Sequence, residues 1–141
     1  KAPAHLLEKP YLRPVYDEPE FVVRNLWRLY GGWYDGNPAH LKPAPDADLA
    51  REVAALAGGA ATLARRASEL AATGDDADLR LAGHLAEMAV QSDPGDTGLH
   101  AVRSEVFAAR ASAEGSLMAK GVFRWAASES DRVVRAEGAD S

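Results

Sequence analysis

At 141 residues the chain has the length of one domain with a single sizeable core, and its 47% hydrophobic and 26% charged content is ordinary for a globular protein. A net charge of −5 argues against a nucleic-acid binder, which needs a basic patch to neutralise phosphate. Without cysteine there is no disulfide framework or thiolate metal site, and no apolar run approaches the roughly 20 residues of a membrane-spanning helix.

Residues 1–16 carry three prolines, Pro3, Pro10 and Pro14, and proline disfavours helix in the residue before it. The spacing predicts a mostly extended arm. Leu6, Leu7, Tyr11, Leu12, Val15 and Tyr16 are too apolar for a free linker, so the arm is expected to lie across a neighbouring surface, such as a preceding domain. The chain does not start with Met and reads as a piece of a longer protein. Its compartment is therefore not legible here.

The chain is organised around Glu18–Leu41, EPEFVVRNLWRLYGGWYDGNPAHL. Pro19 suits the first turn of a helix, and Glu18 favours the positive helix end. Phe21, Val22, Val23, Leu26, Trp27, Leu29 and Tyr30 give apolar residues at i, i+3, i+4 and i+7 with extras, which predicts a helix buried over a wide arc. Trp27 and Trp33 are expected to be largely buried. Gly31-Gly32 supplies the stop. In the turn Asp35-Gly36-Asn37-Pro38, Asn37 can cap a new helical turn beginning at Pro38.

The stretch YLRPVYDEPEFVVRNLWRLYGGWYDGNPAHLKPAP resembles the start of the helical dimerisation domain of the linear alkyl sulfatases, in the metallo-β-lactamase superfamily. GGWYDGNPAHL is its most specific part, and the likeness continues more loosely to about Trp125. The resemblance implies a domain that joins two subunits in a homodimer. It also implies an upstream metallo-β-lactamase-like catalytic domain holding two zinc ions, and a downstream sterol-carrier-like domain. The parent would hydrolyse alkyl sulfate esters, in a bacterial cytoplasm or periplasm. Tyr34 and Asn37 would line the substrate pocket of the parent, although turn chemistry alone accounts for this segment.

Beyond the spacer Lys42–Asp46 the chain becomes Ala-rich and helical. Asp46 or Asp48 is expected to cap a helix over about Leu49–Ala57, ended by Gly58-Gly59. A second spans about Ala60–Thr73, with Leu63, Ala64, Ala67, Leu70 and Ala71 inward. A third spans about Ala77–Gln91, with Leu81, Ala82, Leu85, Met88 and Ala89 inward, and a fourth about Thr97–Ala113, with Leu99, Val102, Val106 and Ala109 inward. Ser116 is expected to cap a fifth through about Ala127, and residues 129–141 form a polar tail expected to fray. Short turns such as Asp93-Pro94-Gly95 between helices of three to four turns give the rhythm of antiparallel pairs, similar to tetratricopeptide units. The expected fold is all-α, about six helices, with the helical domain over residues 17–128.

No catalytic constellation emerges. His5, His40, His84 and His100 are scattered, without partners at metal-ligand spacing. There is no nucleophile elbow and no phosphate loop. Arg24 and Arg28, at i and i+4, are expected to be solvated or paired with Glu20. The expected role is a non-catalytic dimerisation domain, with no cofactor of its own. Surplus apolar residues mark the interface: Phe21, Val22, Leu26, Leu29 and Tyr30 in the organising helix, and Leu117, Met118, Phe123 and Trp125 near the C-terminus. The alternative is a small tetratricopeptide-like module binding a peptide in a helical groove.

Overall fold

A computed structural model describes residues 3–139 and is all-helical, with seven α-helices and no strand among those residues. The chain divides into two compact units. The first comprises the described residues up to Pro43 together with Gly115–Ala119, and the second comprises Ala44–Glu114 with the described residues from Lys120 onward.

In the first unit, α1 (Ala4–Leu7) and a 3-10 turn at Pro10–Leu12 precede α2 (Pro19–Gly31), and a second 3-10 turn follows at Pro38–His40. The arm is thus less extended than its prolines suggest. Pro3 stands immediately before α1 and Pro10 opens the 3-10 turn, places where a missing N–H costs no helical hydrogen bond. α2 starts and stops as its sequence dictates: Pro19 occupies the first turn, and Gly32 leaves the helix at φ +80°, which a side chain would resist.

The burial of α2 is a correction. No residue of the helix is buried, and Trp27 and Trp33 remain 66% and 67% exposed. Apolar periodicity says which face of a helix avoids water; it carries no information about which molecule covers that face.

The carbonyls of Val15 and Tyr16 accept the backbone N–H groups of Leu117 and Met118, at 2.8 and 3.1 Å. These are orphan donors at the start of α7 (Leu117–Ala139). Ser116, buried at this junction, donates its hydroxyl to the Tyr16 carbonyl at 2.6 Å and accepts the Ala119 N–H at 3.3 Å. It is the cap its sequence position predicts.

The second unit packs α3 (Asp46–Ala57), α4 (Ala60–Ala71), α5 (Asp76–Ser92) and α6 (Thr97–Ala113) pairwise, α4 on α5, α5 on α6, and α3 on both α4 and α5. Asp75 caps α5 by accepting the N–H groups of Ala77 and Asp78, and Asp96 caps α6 through Gly98 and Leu99. α3 begins earlier than expected, at Asp46, and neither Asp46 nor Asp48 caps it. Both lie in the first turn after Pro45, where their charge suits the helix dipole.

Alanine faces allow close helix approach. One core cluster joins Ala54, Leu63, Ala64, Ala89 and Leu99; another joins Ala67, Leu70, Ala82, Ala86 and Val106. Leu81 does not point inward as its spacing suggested: it is exposed, and Leu79 is buried in its place. The expected fraying after Ala127 is also corrected, since α7 continues to Ala139. Its polar residue Ser130 is wholly buried by partners on α6.

Candidate functional site

Val22, Val23, Leu26, Leu29 and Tyr30 of α2 are all exposed, Tyr30 by 84%, and Phe21 is half-buried. With Trp27 they form an apolar face along the helix. The indole of Trp27 lies over Gly31, where an added Cβ would stand 3.4 Å from the ring. Folded this way, Trp27 shapes a shallow hollow of about 480 Å³ with Val23, Leu26, Tyr30 and Gly31. A second hollow of about 440 Å³ is lined by Leu12, Pro14, Asp17, Glu18, Pro19, Val22 and Val23. Polar residues rim this face. Arg24 pairs with Glu20 at 3.1 Å, as their spacing predicts.

After α2, Trp33 and Tyr34 meet edge to face, with ring centroids 5.9 Å apart. The turn beyond them is a closed hydrogen-bond system. The Asp35 carboxylate accepts the Asn37 N–H at 3.0 Å and lies 2.6 Å from His40 Nδ1, while Asn37 Oδ1 accepts the Ala39 N–H at 3.1 Å. Asn37 Nδ2 is 3.3 Å from His40 Nε2. One tautomer satisfies every contact: Nδ1–H donates to Asp35, and Nε2 accepts from the Asn37 amide. The Asn37 N–H first, and the His40 ring second, hold the Asp35 carboxyl below its ordinary pKa. Asn37 caps the turn as its sequence predicts, and both polar atoms of its side chain are engaged there. Tyr34 stays exposed beside it.

The C-terminal residues read as interface candidates divide. Leu117 and Trp125 are exposed, whereas Met118 and Phe123 are half-buried. Phe123 belongs to the core of the second unit, with its ring stacked on Phe107 at 5.8 Å and covered by the Arg110 guanidinium at 4.1 Å.

A buried polar network in the second unit escaped the sequence reading. Arg103 donates from Nε to Glu87 at 2.8 Å, and from Nη1 to the Ala126 carbonyl at 2.9 Å and to Ser130 Oγ at 2.8 Å. His100 lies 3.1 Å through Nε2 from the Pro94 carbonyl and 3.2 Å through Nδ1 from Ser130 Oγ. A carbonyl only accepts, so Nε2 carries the proton and Nδ1 accepts the Ser130 hydroxyl. Ser104 donates to Asp131 at 2.5 Å. The signal was present: His100, Arg103 and Phe107 recur at helical spacing beside the apolar stripe, and Phe123, Ala126, Ala127 and Ser130 continue such a stripe past Glu129.

These residues do not fit a zinc site. Among the described residues no group of three His, Asp or Glu side chains is placed to hold a metal ion. His40 and His100 have both ring nitrogens engaged as above. His84 stands in a small groove of about 270 Å³ lined also by Asp46, Leu49, Ala50, Glu87, Met88 and Gln91. No helix among the described residues is long and apolar enough to cross a membrane.

A closed alanine-rich bundle, together with a helix presenting aromatics to solvent, defines an all-α helical domain with an uncovered apolar face. The chain belongs to the alkyl sulfatase dimerisation family, whose profile matches residues 1–132. It is similar to a linear primary-alkylsulfatase of Pseudomonas sp. (strain ATCC 19151), with 34% identity over 111 residues covering 76% of this chain and 20% of that protein. It is also similar to an (R)-specific secondary-alkylsulfatase of Pseudomonas sp., with 31% identity over 105 residues covering 74% of this chain and 15% of that protein. The chain therefore matches no more than a fifth of the length of either relative.

Proposed function

We propose that this chain is the non-catalytic dimerisation domain of a hydrolase acting on alkyl sulfate esters, and that it joins two subunits of that enzyme. The exposed apolar face of α2, on a chain of this family, is the observation that carries the reading. An apolar surface of this extent on a folded domain marks a partner, and an isologous contact lets one sequence supply both sides.

The chemistry is assigned to residues outside this chain. A metallo-β-lactamase-like domain upstream would hold the two zinc ions, and a sterol-carrier-like domain would follow. The short share of the alkylsulfatase relatives that this chain matches leaves room for both. Tyr34 is the side chain here most available to wall a substrate pocket, since Asn37 is committed to its own turn. The alternative, peptide binding, would use the groove beside His84 and Met88.

Light scattering after size exclusion tests the joining role. A mass near twice 15.0 kDa is expected at micromolar concentration, and a mass that stays at 15.0 kDa up to hundreds of micromolar would overturn it. Assay of the chain with an alkyl sulfate and added zinc should give background rates. Turnover that is lost when His40 or His84 is replaced would overturn the non-catalytic reading.

A further inference from the structure

We infer that the arm before α2 is a latch on α7: main-chain carbonyls of Val15 and Tyr16 hold the first turn of α7 helical, and that turn unwinds as far as Gly121 when the arm lifts away. The latch lies apart from the α2 face and stands or falls independently of the dimerisation reading.

The first N–H groups of a helix have no partner within it, and a side chain or water normally takes them. At α7 a distant stretch of main chain takes two. Leu117 and Met118 donate to the Val15 and Tyr16 carbonyls at 2.8 and 3.1 Å. Ser116, which caps Ala119, also donates its hydroxyl to the carbonyl of Tyr16, 100 residues earlier. The start of α7 therefore depends on the arm for its closure.

This hold has little behind it. No described residue from Pro3 to Asp17 is buried, and Tyr11, Leu12, Val15 and Tyr16 all present their side chains to solvent. A segment fixed by a few main-chain hydrogen bonds, with little apolar burial, opens well before the whole domain unfolds.

The turn being held is also weak in itself. Gly121 stands within α7 without a positive φ, and nothing lies within 4 Å of where its Cβ would be. Neither the backbone nor the packing calls for glycine there, so its effect is a less stable helix at that point. The contacts of the chain change over at the same place: Gly115–Ala119 groups with the first unit, and the described residues from Lys120 onward group with the second.

NMR-detected hydrogen exchange on the full chain tests the latch. The amides of Leu117 and Met118 report the arm. Those of Gly121 and Val122 bond back four residues, to the carbonyls of Leu117 and Met118, and report the turn itself. Pro14→Gly loosens the backbone beside Val15 without changing the sequence of α7. It should speed exchange at all four amides by roughly five-fold or more, the effect of losing a helix cap. The amides of Ala67 and Ala82, in the core, should keep their wild-type rates. Ser116→Ala removes the third hydrogen bond and should likewise speed Leu117 and Met118. Adding Gly121→Ala to Pro14→Gly should slow the amides at 121 and 122 again while Leu117 and Met118 stay fast.

Unprotected Leu117 and Met118 amides in the wild type, or amides that neither Pro14→Gly nor Ser116→Ala speeds, would overturn the latch. Fast exchange at Leu117 and Met118 in Pro14→Gly, with Gly121 and Val122 unmoved, would overturn the unwinding. Amides at 121 and 122 that stay fast in the double variant would overturn the part assigned to Gly121.

Discussion

The two units of this chain treat the same kind of helix in opposite ways. In the second unit, α4 and α6 are amphipathic, and their apolar faces are closed by neighbours down to Ala67 and Val106, which retain almost no exposure. In the first unit, α2 is comparably amphipathic to α4, and every large apolar side chain on it except half-buried Phe21 is exposed. Among its described residues the first unit places only the small Ser116 and Ala119 out of water, and none of its large described side chains is fully buried. Burial supplies most of a small domain's stability, at about 25 cal/mol per Å² of apolar surface removed from water. The contrast therefore separates stability, which resides in the second unit, from the association proposed for the first.

The largest expected effect lies at Arg103. Replacing it by alanine removes the partner of Glu87 and strips a donor from Ser130 and from the Ala126 carbonyl, so Arg103→Ala should destabilise by about 3–5 kcal/mol. Urea melts followed by circular dichroism measure it, and a loss below about 1 kcal/mol would mean that the network is dispensable. Next comes Leu70→Ala, which opens a cavity between α4 and its neighbours and should cost about 2–4 kcal/mol in the same melts.

Asp75→Ala should cost about 1 kcal/mol, the usual value of a helix cap, because two N–H groups of α5 lose their acceptor. Trp27→Ala sharpens the comparison from the other side. Its unfolding free energy at low protein concentration should change by less than about 1 kcal/mol, since the side chain is mostly exposed, while self-association weakens. A large loss of monomer stability there would erase the distinction between the units.

The smallest effect is at Asp35. Its carboxyl titrates below the ordinary 3.8, so the turn's contribution is complete above that value and is lost only as pH falls through the lower, folded pKa. A carboxyl titration followed by NMR should place the midpoint under 3.8, and His40→Ala should move it upward toward the ordinary value.

Much of this architecture was legible because it is written locally. The Gly58-Gly59 stop, the capping serine at 116, the Asn37 turn and the inward faces of Leu63, Ala67 and Leu70 each follow from a few adjacent residues. What failed was non-local. Trp27 and Trp33 look like core residues because aromatics at helical spacing do not say what will cover them. Leu81 and Leu79 are close in the chain, and only packing chooses between them. Ser130 lies in a stretch that reads as a fraying tail, and its burial depends on Arg103, 27 residues earlier. A polar residue is marked for burial by its partner, and that partner is not a neighbour in sequence.

The Arg103–Ser130–His100–Pro94 chain has a practical meaning for where this domain can be cut. A truncation after Ala127, where the sequence turns polar, would remove Ser130 and Asp131 and leave Arg103, His100 and Ser104 short of partners inside a closed bundle. By these side-chain partners the C-terminal boundary falls no earlier than Asp131, and the family match ends one residue beyond it, at 132. A protease acting on the native protein should be able to trim α7 back toward that point and then stall, because the next cut requires the bundle itself to open.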